Sequence, residues 1–382
     1  MGLRDKSKAH FLFRLNKPAL IMRSFYMKPK MHTRLFLLLS MILVLSGCGS
    51  DSTENERTLA DKPYEETEFL MGTVVRVTIY DQGKEEVLSK AFDRIKELAE
   101  FITTEDEEEH SMIKAINESA GREPVSVSSD LFALINSALT YSEKTEGSFD
   151  LTIGPITDLW RIGYPDARVP EPNEIEKALS LVDYKQVELN EENQTVYLSQ
   201  EGMKIDLGAI AKGFITDETV KVLRDNDVET AIIDLGGNIF VMGNSPRDVK
   251  EKWQVGIQDP FEERGKIIGS IPLSNQSMVT SGVYERFLEA DGKKYHHLMN
   301  PETGYPFDNE LAGVSVVTTS SIDGDGLSTS LFSKGLNGGL EYVNQLDGVD
   351  AVFVTKDKEV YLSDGLKDFK LKNDDFTLMN GD

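Results

Sequence analysis

Cysteine is nearly absent from this chain of 382 residues: Cys48 is the only one, so no disulfide framework can staple the fold. Basic charge is in deficit too, with 41 Lys and Arg against 65 Asp and Glu and a net charge of −24. Nine of those 41 and one of those 65 fall in residues 1–47, and without that segment the balance drops to −32. A surface of that sign repels nucleic acid and anionic lipid head groups, so no nucleic-acid partner is expected. A phosphate ligand would meet the same repulsion unless a metal ion or a few well-placed cations offset it. No internal repeat is present, and the familiar phosphate-loop signatures are incomplete. In "GAIAKGF" Lys212 precedes the second glycine and no Ser or Thr follows in place, while "DLGGN" lacks the rest of a dinucleotide fingerprint. "DGDGLS" has Ser328 where a calcium loop requires glycine. These gaps exclude a P-loop, a Rossmann fingerprint and an EF-hand.

What is present begins with an N-terminal signal. Lys28, Lys30 and Arg34 precede an apolar run, Leu35 to Leu45, broken by Ser40 and followed by Ser46-Gly47-Cys48. The run is too short for a spanning helix and has the three parts of a secretory signal. Such a signal is complete from Met27 or Met31, so residues 1–26 are read as an extension from a start codon placed too early. The cysteine after Leu-Ser-Gly resembles a bacterial lipobox, which implies that Cys48 becomes the lipidated first residue on the outer face of the cytoplasmic membrane. Residues 48–66 are acidic and poor in apolar side chains, a composition that reads as a flexible tether.

Folded structure is expected over 67–365, with a C-terminal tail at 366–382. Val75, Val77 and Ile79 alternate with polar neighbours as in a half-buried strand. Val87, Leu88, Phe92, Ile95 and Leu98 recur at helical spacing within 85–101, and a second helix is expected over 131–141. "QVELNEENQTVYLSQEGMKIDLG" reads as a hairpin followed by a strand ending at Asp206. Leu207, Ile210 and Phe214 open a helix to about Arg224, and "TAIIDLGGNIFVMG" reads as a strand with a glycine break. Helices and strands mix without a regular βαβ alternation, which favours an α+β fold with mixed, largely antiparallel sheets.

Single residues carry weak signals. Asp325 and Thr329 stand four apart in a helical pattern, a spacing that stacks two oxygen ligands on one side, yet Asp325 suits a helix N-cap better on local sequence alone. Asp206 also reads as a cap, Asp150 as a turn residue, and His297 alone as an ordinary histidine. "YHHLMNPETGYPFD" places two of the chain's five histidines before a tight Asn-Pro-x-x-Gly turn.

Their order along the chain is far more specific. "LMGTVV", "GSFDLTIGPITDLW", "IDLGAIAKGFITD", "IIDLGGNIFVMG", "TSGVYERFLEADGKKYHHLMNPETGYP" and "DGLSTSLF" follow one another as in the ApbE family of FAD:protein FMN transferases, which this chain closely resembles from about Phe69 to Tyr361. The resemblance implies the ApbE-type, T-shaped fold. It implies that Met71, Phe149, Asp150, Leu151, Asp206, Lys212 and Met299 line the FAD site. It further implies that Ala209 (through its carbonyl), Asp325 and Thr329 hold Mg²⁺, and that His297 and Asp325 carry catalysis. FMN would pass from FAD to a Ser or Thr hydroxyl of an exported redox lipoprotein or membrane redox complex, with release of AMP. His297 suits either a phosphate contact or a general base near neutral pH. One block departs from the family pattern: Glu107 stands near the position of an aromatic that stacks on the cofactor. A metal-dependent FAD pyrophosphatase and a non-catalytic flavin- or solute-binding lipoprotein are the rival readings.

Overall fold

The computed structural model describes residues 58–103 and 111–379. Cys48, the signal and Glu107 lie outside them. Nine strands form the main sheet, and their order in space is their order in the chain. They are β1 (Leu59–Leu70), β2 (Thr73–Asp81), β3 (Ala231–Leu235), β4 (Asn238–Met242), β5 (Gln276–Gly282), β6 (Leu311–Thr318), β7 (Asp350–Thr355), β8 (Glu359–Leu362) and β9 (Thr377–Leu378). Each neighbouring pair is antiparallel except β8 with β9. The α+β, largely antiparallel architecture expected from the sequence is therefore the one observed.

Long insertions leave this meander at its turns. Between β2 and β3 come α1 (Glu85–Ile102), α2 (Met112–Glu118), α3 (Ser129–Lys144), α4 (Gly154–Trp160), α5 (Pro172–Leu179) and α6 (Ala211–Asp225). Between β6 and β7 come α7 (Ser321–Ser333) and α8 (Gly335–Val343). Alternation in β2 sends Val75, Val77 and Ile79 to one face, where they meet Val87, Leu88, Ala91, Phe92, Ile95 and Leu98 of α1 in one buried cluster. Full burial of such side chains stabilises the fold by roughly 1.5–3 kcal/mol each. Among the described residues no helix is long and apolar enough to cross a membrane.

Five expectations need correction. The tether was expected to reach residue 66, but β1 already starts at Leu59 and pairs with β2. The tail expected after 365 is part of the fold: Leu366, Phe369 and Phe376 are buried, and Lys370–Leu371 pairs with Gly269 and Ser270. No strand ends at Asp206, because Ile205 spends its backbone groups on the Asn117 side-chain amide and Asp206 N–H donates to Leu151 O. The following helix starts at Ala211 rather than Leu207, since 207–210 form a turn closed by Ala211 N–H on Leu207 O. "IIDLGGNIFVM" is two strands, because Gly236 (φ 64°) and Gly237 (φ 97°) make a hairpin turn rather than a break within one strand.

Candidate active site

Strand direction decides where the site lies. β1, β3 and β5 run the same way, so the Met71-Gly72 turn, the Gly236-Gly237 turn and the long excursion from Val283 to Glu310 leave the same end of the sheet. Leu70 pairs with Thr73, leaving Met71 (φ 53°) and Gly72 (φ 67°) as a two-residue turn with both residues left-handed. This turn matches the twist of the strands, but a side chain in that conformation costs about 1 kcal/mol or more and persists where its surroundings impose it. Gly236 packs against this hairpin so closely that a Cβ there would sit 2.1 Å from Thr73 Oγ1.

The two histidines part company as their order in an extended segment requires. Phe287–Ala290 and Lys293–His296 form a hairpin in which Phe287 opposes His296. His296 is buried, donates from Nε2 to Phe307 O at 2.9 Å and lies edge-on to Phe332. Burial pushes its pKa down to about 4, and its Nδ1 has no partner. It is a neutral wedge that holds the segment against the core.

His297 is half-buried and lies outside that pocket. Its backbone N–H and its Nδ1 both reach the Arg286 carbonyl, each at 3.2 Å. A carbonyl can only accept, so Nδ1 carries the proton and Nε2 keeps a lone pair. Desolvation, reinforced by the positive charges of Arg286 and Lys212, pushes the His297 pKa down to about 4. The imidazole is therefore neutral at neutral pH, which suits an acceptor of protons and not a cation for phosphate.

Lys212 belongs to a second constellation, built where α6 and α7 pack. Gly213 allows the contact: a Cβ there would meet Ser321 O at 2.4 Å and Ile322 Cα at 2.6 Å, so any side chain would force the helices apart. Each helix then satisfies the other's first turn. Asp325, inside α7, accepts from the Gly213 amide, and Asp217, inside α6, accepts from the Ser321 and Ile322 amides and the Ser320 hydroxyl. Asp325 is thus not the N-cap of its own helix, where Ser320 stands, but it caps its neighbour. Burial raises the Asp217 pKa despite those three donors.

This cross-capping shapes a set of oxygens. Lys212 Nζ lies 3.5 Å from Asp325 Oδ1. The Gly213 amide, which a ladder begun four residues earlier would direct to Ala209 O, donates instead to Asp325 Oδ2, leaving the Ala209 carbonyl outside the helix. Thr329 stands one turn after Asp325 on α7, its hydroxyl 3.4 Å from Ser281 Oγ at the end of β5. Ser281 is fixed in turn by Ser328 at 2.8 Å. One carboxylate, one hydroxyl and one carbonyl are the donor type that a hard cation such as Mg²⁺ takes, so the residues present fit such an ion. Among the described residues no cluster of three or more His, Cys, Asp or Glu could hold a metal, which leaves mixed oxygen donors as the route.

The other expected site residues lie nearby in different roles. Asp206 joins two segments, accepting from Thr157 at 2.7 Å and from Gly208 N–H at 2.8 Å. Phe149 and Leu151 are buried in the core. The Asp150 carboxylate between them is engaged by Thr152 N–H and O–H and by Tyr184 N–H, and burial raises its pKa. Most of the backbone there is engaged as well: Phe149 N–H donates to Thr145, Leu151 N–H donates to Ser142, and the Asp150 and Leu151 carbonyls accept from the Ile153 and Asp206 amides. Met299 is buried beside Trp160 and Ile175, bridged to Pro306 across the "NPETGYP" turn. Gly304 (φ 71°) closes that turn, with its carbonyl taking the Trp160 indole N–H at 2.8 Å. Sequence reading missed Ser281, Gly213 and Arg286. Each sits inside a quoted motif, yet Ser, Gly and Arg acquire meaning there only from what they face.

Comparison with known proteins covers the segment that contains these residues. The family model described as "ApbE family" matches residues 71–353. An FAD:protein FMN transferase of Klebsiella pneumoniae is 40% identical over 303 residues, covering 79% of this chain and 92% of that protein. One from Treponema pallidum is 35% identical over 349 residues, covering 88% and 94% respectively. The crystal structure of the ApbE protein from Thermotoga maritima superposes with a TM-score of 0.71 at 31% identity, covering 79% of this chain and 97% of that one.

Proposed function

The chain belongs to the ApbE family and is a flavin transferase, and on that premise we propose that it moves FMN from FAD to a Ser or Thr hydroxyl of an exported acceptor protein, with AMP as leaving group. The observation that carries this reading is the His297 imidazole, neutral and tethered through Nδ1, with Nε2 available beside the Lys212–Asp325 pair. In the reaction the acceptor oxygen forms a bond to the FMN phosphorus as the phosphorus–oxygen bond to AMP breaks. His297 Nε2 takes the hydroxyl proton, and the electron pair of the broken bond leaves with AMP. Such transfers depend mainly on positioning and charge neutralisation. Lys212 contributes a cation, and Asp206 with the Thr157 contact fixes the segment that leads into α6. Asp325, Thr329 and the Ala209 carbonyl would hold Mg²⁺, which when bound supplies positive charge at the pyrophosphate.

The test is the mass of a candidate exported acceptor after incubation with FAD and Mg²⁺. One added FMN, lost when the acceptor hydroxyl is removed or Mg²⁺ is chelated, is the expected result. FMN and AMP free in solution beside an unmodified acceptor would point to a pyrophosphatase and sink the transfer reading.

We also propose a lipid anchor at Cys48, supported by the signal and the lipobox-like tripeptide before it. Membrane affinity would come from the acyl chains, at about 0.8 kcal/mol per buried CH₂, because the acidic surface offers none. Cys48→Ser should yield soluble protein or unprocessed precursor on membrane fractionation. A variant that stays anchored at unchanged gel mobility refutes the anchor.

A further inference from the structure

Arg286 is absent from every role given above except through its backbone carbonyl, yet its side chain is held with care. A Cβ at Gly72 would lie 3.3 Å from Arg286 Nη2, and one at Gly163 would lie 3.1 Å from its Cδ. Both glycines have left-handed backbones, φ 67° and 99°. The guanidinium thus runs between two loops that are stripped of side chains where they touch it: the tip of the β1–β2 hairpin and the turn after α4. Loops from three parts of the chain converge on one exposed cation.

Among the described residues Arg286 has no ion-pair partner, and the adjacent Glu285 faces Arg264 at 3.7 Å. Lys212, the other cation near His297, is engaged by Asp325. His297 N–H donates to Arg286 O where the hairpin opens, so the two residues stand opposite each other, and opposed side chains project to the same face. In a chain of net charge −24, a guanidinium that has no ion-pair partner among the described residues, fixed beside the base, is a local inversion of sign. Its planar fork matches two oxygens of a phosphate, which a lysine ammonium does not.

We propose that the Arg286 guanidinium binds a phosphate of FAD, holding the pyrophosphate beside His297. Arg286 is then a substrate-positioning residue whose charge stands in for the positive field that the neutral His297 does not supply. The proposal rests on the flavin-transferase reading and extends it.

Equilibrium binding to the full chain with Mg²⁺ present, followed by flavin fluorescence, tests it with FAD and with riboflavin, which has no phosphate. Arg286→Gln should weaken FAD about 10- to 100-fold, as expected for loss of charged hydrogen bonds, and leave riboflavin unchanged. Arg286→Lys should restore part of the loss, by charge without the fork. Equal losses for both ligands would mean that Arg286 merely props the loops, and unchanged FAD affinity in Arg286→Gln would overturn the proposal outright. The acceptor-mass assay separates this from the reading beneath it. Wild type that transfers FMN while Arg286→Gln binds FAD normally defeats the phosphate grip alone. Wild type that binds FAD with loss in Arg286→Gln but modifies no acceptor defeats transfer alone.

Discussion

Replacing His297 by alanine should slow FMN transfer by about 10²- to 10⁴-fold, the usual contribution of a general base, with FAD still bound. The geometry behind this is the Nδ1–H to Arg286 O contact, which fixes the tautomer and leaves Nε2 as the acceptor. His296→Ala is the control. That imidazole is buried against Phe332 and Phe307, so its loss should lower the melting temperature while sparing the rate of the folded enzyme. Equal rates for the two variants, or a larger loss at His296, would contradict the assignment.

The pH profile gives the same residue a second test. Its pKa is pushed down to about 4, so the base form is present above that value and is lost as pH falls through it. The acid limb of kcat/KM for FAD, which reports the free enzyme, should therefore lie near pH 4 and not near 6.5. A limb at 6.5 in wild type that disappears in His297→Ala would mean that the imidazole is far better hydrated than this packing allows.

Asp325→Asn should abolish Mg²⁺-dependent transfer, by about 10³-fold or more, while leaving the protein folded. The charge lost is worth several kcal/mol at a pyrophosphate, and each 1.4 kcal/mol is about tenfold in rate. The asparagine carbonyl can still accept from Gly213 N–H, so the cross-cap between α6 and α7 survives. Asp325→Ala removes the cap as well and should cost about 1 kcal/mol of stability in addition. The pair of variants separates the cap that this carboxylate makes from the metal role proposed for it. Full Mg²⁺-stimulated activity in a folded Asp325→Asn enzyme would rule out the ion site, and a melting temperature as low as that of Asp325→Ala would rule out the retained cap.

The local pattern by itself determined a good deal. Alternation in β2, the helical spacing of α1, the hairpin in which 187–190 pairs with 195–198, and the turn after Asn300 were all readable, because each is set by neighbours within a few residues. Motif order did the same for the family, since a sequence of matched blocks needs no coordinates. The motif-based set of Asp206, Lys212, His297, Asp325 and Thr329 was named on that ground, and the fold holds Lys212 against Asp325 with Thr329 a turn away.

What only the tertiary structure decided depends on contacts between distant segments. Strands separated by long insertions still pair in chain order, and that pairing alone brings the Met71, Gly236 and Arg286 turns to one end of the sheet. Pattern reading made Asp325 a cap of its own helix or a metal ligand. Packing of α6 on α7 makes it the cap of another helix, 112 residues away, because a carboxylate satisfies whichever orphan amide the fold presents. The same holds for the histidines. Their adjacency was visible in the sequence, but the tautomer and the neutral state of His297 follow from a carbonyl eleven residues back and from the water excluded around it. Hydrogen-bond direction and desolvation are properties of a filled volume, and a linear pattern does not contain them.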